Sequence, residues 1–120
     1  MTDKILTEHS GDIARIIFNQ PEKRNAVSLE MWEAVEVAAA RFAADDTVRI
    51  LILSGAGGKA FVSGADVSKF ETERASSEAV ANYNATTKRV YDMIEEFPKP
   101  TIAQIDGFCI GGGVALSLSC

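Results

Sequence analysis

A chain of 120 residues with a net charge of −5 at pH 7 has the length of one domain, and with 47 % apolar residues it can bury a modest core. The acidic balance argues against general nucleic-acid binding, which needs a basic face to displace counterions, yet leaves room for one phosphorylated ligand held by a few local Lys or Arg. No apolar run approaches the roughly 20 residues of a membrane helix, and Met1-Thr2-Asp3-Lys4 lacks the apolar core of an export signal.

In chain order, Ile5-Leu6-Thr7-Glu8 and Ile13 to Phe18 read as two strands joined by a turn at Ser10-Gly11-Asp12. Asn19 to Asn25 is a loop carrying Pro21 and several charges. Ser28 caps a helix running to about Ala44, with Glu30 in the first turn where the helix dipole favours an anion. Met31, Val35, Ala38 and Phe42 recur at helical spacing, with Leu29 and Trp32 alongside, and Asp45-Asp46 ends the element. Val48 to Leu53 is a continuous branched and leucine run, the pattern of a strand covered on both faces.

A glycine-rich turn, Gly55 to Gly58, leads into the short apolar stretch Ala60-Phe61-Val62. A second helix spans Ser77 to Glu96, with Val80, Tyr83, Thr87, Val90, Tyr91 and Ile94 on one side; Pro98 and Pro100 stop it. Thr101 to Ile105 is another buried-strand candidate, Asp106-Gly107 a turn, and Gly111-Gly112-Gly113 opens a helix at Val114. Strand and helix alternate throughout, so the class is α/β. The final run to Ser119-Cys120 has no capping signal and reads as an interrupted element. The two cysteines, Cys109 and Cys120, lie in apolar surroundings without metal-ligand spacing and read as reduced thiols of a cytoplasmic protein.

Ser54-Gly55-Ala56-Gly57-Gly58-Lys59-Ala60 invites two nucleotide readings, and both fail. A dinucleotide fingerprint needs a helix directly behind it to hold the pyrophosphate, whereas Ala60-Phe61-Val62-Ser63-Gly64 does not read as a helix. The phosphate-cradling loop of ATPases would need glycine at Leu53 and Ser or Thr at Ala60.

Two segments carry the chemistry: Lys59-Ala60-Phe61-Val62-Ser63-Gly64-Ala65-Asp66-Val67, and Lys99 to Gly107 continuing Phe108-Cys109-Ile110-Gly111-Gly112-Gly113-Val114-Ala115-Leu116. Each puts small residues at a strand-to-helix junction. Small residues let a ligand approach the backbone, and a helix start leaves N–H groups unpaired. Two such junctions converging would form an oxyanion hole; the bland alternative is that Gly111 to Gly113 is only a tight, close-packed turn.

With Gln20-Pro21-Glu22-Lys23-Arg24-Asn25-Ala26 before them, these segments resemble three signature stretches of the enoyl-CoA hydratase/isomerase (crotonase) family, in family order and near-family spacing. The similarity covers essentially the whole chain but only about half of a typical family domain. The resemblance implies the N-terminal portion of a crotonase-like spiral of ββα units, with residues 1–120 forming an acyl-CoA-binding region incomplete at its C-terminal side. It implies an oxyanion hole made by the backbone N–H groups of Ala65 and Gly112, holding a thioester C=O as it becomes enolate-like. It also implies backbone contacts to CoA at Ser63, Ala65 and Val67, and a loop at Lys23, Arg24 and Ala26 lining the same nucleotide. Asp66 falls in the same CoA-binding stretch, at a family position that mainly supports the loop. No metal or redox cofactor is implied, since CoA is part of the substrate. A homo-oligomer, trimer or hexamer, is the family default.

Two departures qualify the reaction. Hydratases of the family carry a catalytic Glu three residues after the oxyanion-hole glycine, where this chain has Ala115, which cannot move a proton. The second family acid lies some twenty residues further on, past Cys120. An isomerase or decarboxylase is therefore the rival enzymatic reading, and a non-catalytic fragment binding CoA esters or a partner is the rival from another class. His9 reads as a surface residue, Tyr83 and Tyr91 as core packing on a helix that borders the acyl pocket in relatives, and Cys109 as buried.

Overall fold

The computed structural model describes residues 2–120. Strands β1 (Ile5–Ser10) and β2 (Ile13–Phe18) form an antiparallel hairpin, with Gly11 at φ +61° in the turn. Helix α1 (Leu29–Ala44) then carries the chain to β3 (Ile50–Gly55), which pairs parallel with β2. After the short strand β4 (Ala60–Val62) come a 3-10 turn at Val67–Lys69, helix α2 (Phe70–Glu73) and the long helix α3 (Ser77–Glu95). Strand β5 (Thr101–Ala103) joins β3 in parallel, β6 (Phe108–Cys109) pairs with β4, and α4 (Gly112–Ser119) follows. The result is a four-stranded sheet in the order β1-β2-β3-β5 and a separate two-stranded β4-β6 ribbon.

Local chemistry accounts for α1. The Ser28 hydroxyl accepts from the Met31 N–H at 3.3 Å, closing the N-terminus. The opposite end is held by Lys99, whose ammonium donates to the carbonyls of Phe42 (2.8 Å) and Asp45, where the dipole favours a cation. Between them Met31, Trp32, Val35, Ala38 and Phe42 turn inward and meet Ala14, Ile16, Phe18, Leu51 and Leu53 from the sheet, with Val90 and Ile94 of α3 in the same core.

Five expectations need correction. The strand expected at Val48 to Leu53 lies two residues later, and only one of its faces is closed: Leu51 and Leu53 are buried, Ile50 and Ile52 only partly. Thr101 to Ile105 is not a buried strand. Pairing stops at Ala103, and Ile102 and Ile105 are about half exposed because no described element packs on that side. On α3 the residue turned into the core is Thr86, not Thr87, and Cys109 is half-buried, not buried. Helix α4 opens at Gly112, two residues before Val114.

Candidate active site

Strands β4 and β6 run parallel, pairing Ala60 with Phe108 and Val62 with Cys109, so both leave the ribbon at the same end. Ala65 stands three residues beyond Val62, and Gly112 three residues beyond Cys109. The Ile110 N–H donates to the Val62 carbonyl at 3.0 Å and keeps the second chain beside the first. Glycine makes the approach possible. Gly64 and Gly111 hold φ of +122° and +56°, and a Cβ on Gly111 would lie 3.6 Å from the Gly64 Cα.

Ala65 is fixed by its neighbours. Val27 N–H donates to the Gly64 carbonyl at 2.9 Å, and Asp66 N–H donates to the Val27 carbonyl at 3.0 Å, a parallel bridge that straddles Ala65. Among the described residues the Ala65 N–H has no backbone or side-chain acceptor. Nor has that of Gly112, which as the first residue of α4 lacks an intrahelical partner. The site therefore presents two unpaired N–H donors on adjacent strand-to-helix junctions, one at the positive end of a helix dipole.

The loop of residues 20–26 packs against this junction through buried polar side chains. Gln20 Nε2 donates to the Ala26 carbonyl at 2.7 Å and to Asp66 Oδ2 at 3.2 Å. Asn25, at φ +57°, accepts the Gln20 N–H through Oδ1 at 2.9 Å and donates from Nδ2 to the carbonyls of Ala56 and Ala60. Asp66 Oδ1 accepts from the Ser68 N–H at 3.1 Å and the Ser68 hydroxyl at 2.6 Å. Burial alone would push the Asp66 carboxyl up, but the Ser68 hydroxyl, the Gln20 amide, the Ser68 N–H and the Lys23 ammonium together hold it below the ordinary value. With both oxygens engaged, Asp66 organises the loop as an anion.

Lys23 reaches across the same junction, donating to Ser68 Oγ at 2.8 Å and standing 3.5 Å from Asp66 Oδ2. Ser63 donates to the Lys23 carbonyl at 3.4 Å. Arg24 is exposed at φ +53°, and the Val67 side chain is 70 % exposed. The fold thus brings Lys23, Arg24, Ala26, Ser63, Ala65, Asp66 and Val67 to one edge, with Gly112 following Gly111 where that residue approaches Gly64 across the ribbon. Ala115 sits half-buried on α4, one turn past Gly112.

Sequence reasoning missed three supports of this edge. Gln20 and Asn25 look like loop polar residues, and only the left-handed tolerance of Asn hinted at a fixed turn. Glu73 lies on α2, an element not expected, which follows the 3-10 turn Val67–Lys69 that Asp66 caps. One Glu73 oxygen accepts the Leu29 N–H at the start of α1 at 2.8 Å, and the other is buried without a partner.

Comparison with known proteins agrees with this architecture. A solved structure titled enoyl-CoA hydratase/carnithine racemase from Magnetospirillum magneticum superposes with a TM-score of 0.92 and 38 % identity, over 100 % of this chain and 45 % of that one. An enoyl-CoA hydratase from Bacillus anthracis gives 0.90 and 30 %, over 98 % and 45 %. Crotonyl-CoA hydratase of Syntrophomonas wolfei is 32 % identical over 98 % of this chain and 45 % of its own length. Enoyl-CoA delta isomerase 2 of Rattus norvegicus is 34 % identical over 93 % and 28 %. The fold is crotonase-like, and the chain spans less than half the length of these relatives. The family model for enoyl-CoA hydratase/isomerase matches residues 13–120, and the chain belongs to that family.

Proposed function

We propose that this chain grips an acyl-CoA thioester, its carbonyl oxygen accepting from the N–H groups of Ala65 and Gly112, and so takes part in the hydration or isomerisation of an enoyl-CoA. The observation that carries the reading is the pair of unpaired N–H donors at equivalent positions beyond the paired residues Val62 and Cys109. Negative charge grows on the thioester oxygen as the adjacent carbon loses a proton or takes up a nucleophile at its neighbour. Donors already fixed in place stabilise that charge without reorganising; removal of one such donor typically costs about 10²–10³ in rate. Lys23 and Arg24, one residue apart on the neighbouring loop, supply positive charge for the CoA phosphates that the acidic chain as a whole lacks. Ser63, Ala26, Ala65 and Val67 offer backbone along the same edge. CoA enters as part of the substrate, in the cytoplasm, and the assembled enzyme is a homo-oligomer.

Ala115 favours a second form of this reading. Its methyl group cannot transfer a proton, so a CoA-ester isomerase or decarboxylase that relies on another acid fits the chain better than a two-carboxylate hydratase. A third reading, CoA-ester binding without catalysis, follows if the 120 residues act alone.

Difference infrared spectroscopy with crotonyl-CoA labelled at the carbonyl carbon tests the grip. The bound C=O stretch is expected at lower frequency than in free ester, and Ala65→Pro, which removes one donor, is expected to reverse most of the shift. An unshifted carbonyl in the bound ester, or no binding, would overturn the reading.

A further inference from the structure

Tyr83 and Tyr91 stand on α3, and Trp32 touches both. The indole Nε1–H donates to Tyr83 Oη at 3.3 Å, and the Tyr91 ring meets the indole edge to face at a centroid distance of 5.6 Å. The two hydroxyls therefore differ in status. Tyr83 is buried and its oxygen is engaged. Tyr91 is half-buried, and among the described residues its hydroxyl has no hydrogen-bond partner. Nor is it sealed off, because Glu73 Oε1 is the buried side-chain polar atom left without a partner among those residues. The Tyr91 hydroxyl is thus an open, unengaged donor and acceptor.

Its position ties it to the proposed acyl site. A Cβ on Gly112 would lie 3.3 Å from Tyr91 Oη and 3.3 Å from Trp32 Cζ2. Since N and Cβ of one residue are about 2.5 Å apart, the hydroxyl is within about 6 Å of the Gly112 nitrogen by standard backbone dimensions. A thioester oxygen at roughly 3 Å from that nitrogen would put the first carbons of its acyl chain in the same neighbourhood as the phenol. Trp32 is the neighbouring wall, and only its aromatic edge is offered there. One polar group in an apolar wall orients a ligand and discriminates against analogues that leave it unpaired.

We propose that Tyr91 is a specificity-determining residue whose hydroxyl hydrogen-bonds an oxygen on the third carbon of the acyl chain, so that the site selects 3-hydroxyacyl over saturated acyl thioesters. The inference rests on the reading that the thioester oxygen lies at Ala65 and Gly112. Burial pushes the Tyr91 hydroxyl above its ordinary pKa, so the phenol stays neutral and can donate near neutral pH.

Calorimetric titration of a polypeptide that contains this chain within a whole family domain, with butyryl-CoA and 3-hydroxybutyryl-CoA and repeated with Tyr91→Phe, provides the test. The wild-type chain is expected to bind the hydroxylated ester roughly three- to ten-fold more tightly, the size of one hydrogen bond. Tyr91→Phe keeps the ring against Trp32 and is expected to bring that ratio close to one. An equal affinity for both esters in the wild-type chain overturns the inference without any variant, and an unchanged ratio in Tyr91→Phe overturns it as well. Failure of both esters to bind the wild-type chain removes the oxyanion reading and the inference with it, an outcome distinct from equal binding.

Discussion

Gly113 lies so tightly under Val62 that a Cβ on it would run into the Val62 carbonyl oxygen, with the Val62 Cβ at 3.1 Å. That oxygen also accepts the Ile110 N–H and cannot move aside without loosening the ribbon that holds Gly111 against Gly64. Gly113→Ala is expected to destabilise the fold by about 1–3 kcal/mol through overpacking. Urea denaturation checks it, and an unchanged midpoint would mean that α4 is not held against β4 as described.

Glu73 gives a pH-dependent prediction. Burial raises its carboxyl above the ordinary value, Asp66 adds to the effect, and the Leu29 N–H opposes both. A carboxyl that holds its proton more tightly folded than unfolded makes the native state bind more protons. Its contribution to stability therefore falls as pH rises from the unfolded value of about 4.3 through the higher folded value. Glu73→Gln keeps an acceptor for Leu29 and removes the charge. Thermal melts across that window should show the wild type gaining on the variant as pH falls. A gap independent of pH would contradict the assignment.

Ala115 is where a proton-transfer group is missing. The chain, or a longer polypeptide containing it, is expected to hydrate crotonyl-CoA poorly, and Ala115→Glu to improve the rate by up to about 10²–10⁴-fold, the range of general acid–base catalysis. A spectrophotometric hydration assay decides; rapid turnover by the unaltered protein would refute the prediction.

Exposed apolar side chains gather late in the chain: Ile102, Ile105, Phe108, Ile110, Val114 and Leu118, from 42 % exposed at Val114 to 80 % at Leu118. Apolar surface of this kind drives association. The 120 residues alone are expected to oligomerise in sedimentation experiments and to need a further segment or subunit for stability. A monodisperse monomer with one sharp unfolding transition would instead favour a self-sufficient binding module.

What could be read from the residues in order was local. Helix α1 announced itself through Ser28, its inward spacing and the Asp45-Asp46 stop, because capping and periodicity act within a few residues. The glycine and small-residue segments also marked where backbone donors would be left unpaired. Apolar runs were less informative about their surroundings. Thr101 to Ile105 has the composition of a buried strand, yet Ile102 and Ile105 are exposed, since hydrophobicity states a preference for cover and not what is present to provide it.

The tertiary structure decided everything that depends on distant pairing. Nothing local sets Gly64 beside Gly111; the parallel register of Val62 with Cys109, across 47 positions of chain, does so. Gln20 and Asn25 look like solvated loop residues until their amides are found closing the carbonyls of Ala26, Ala56 and Ala60. Tyr83 and Tyr91 are two residues of one type on one helix. Only the placement of Trp32 engages the first hydroxyl and leaves the second beside Gly112, because a hydrogen bond depends on a partner within about 3 Å and periodicity carries no such information.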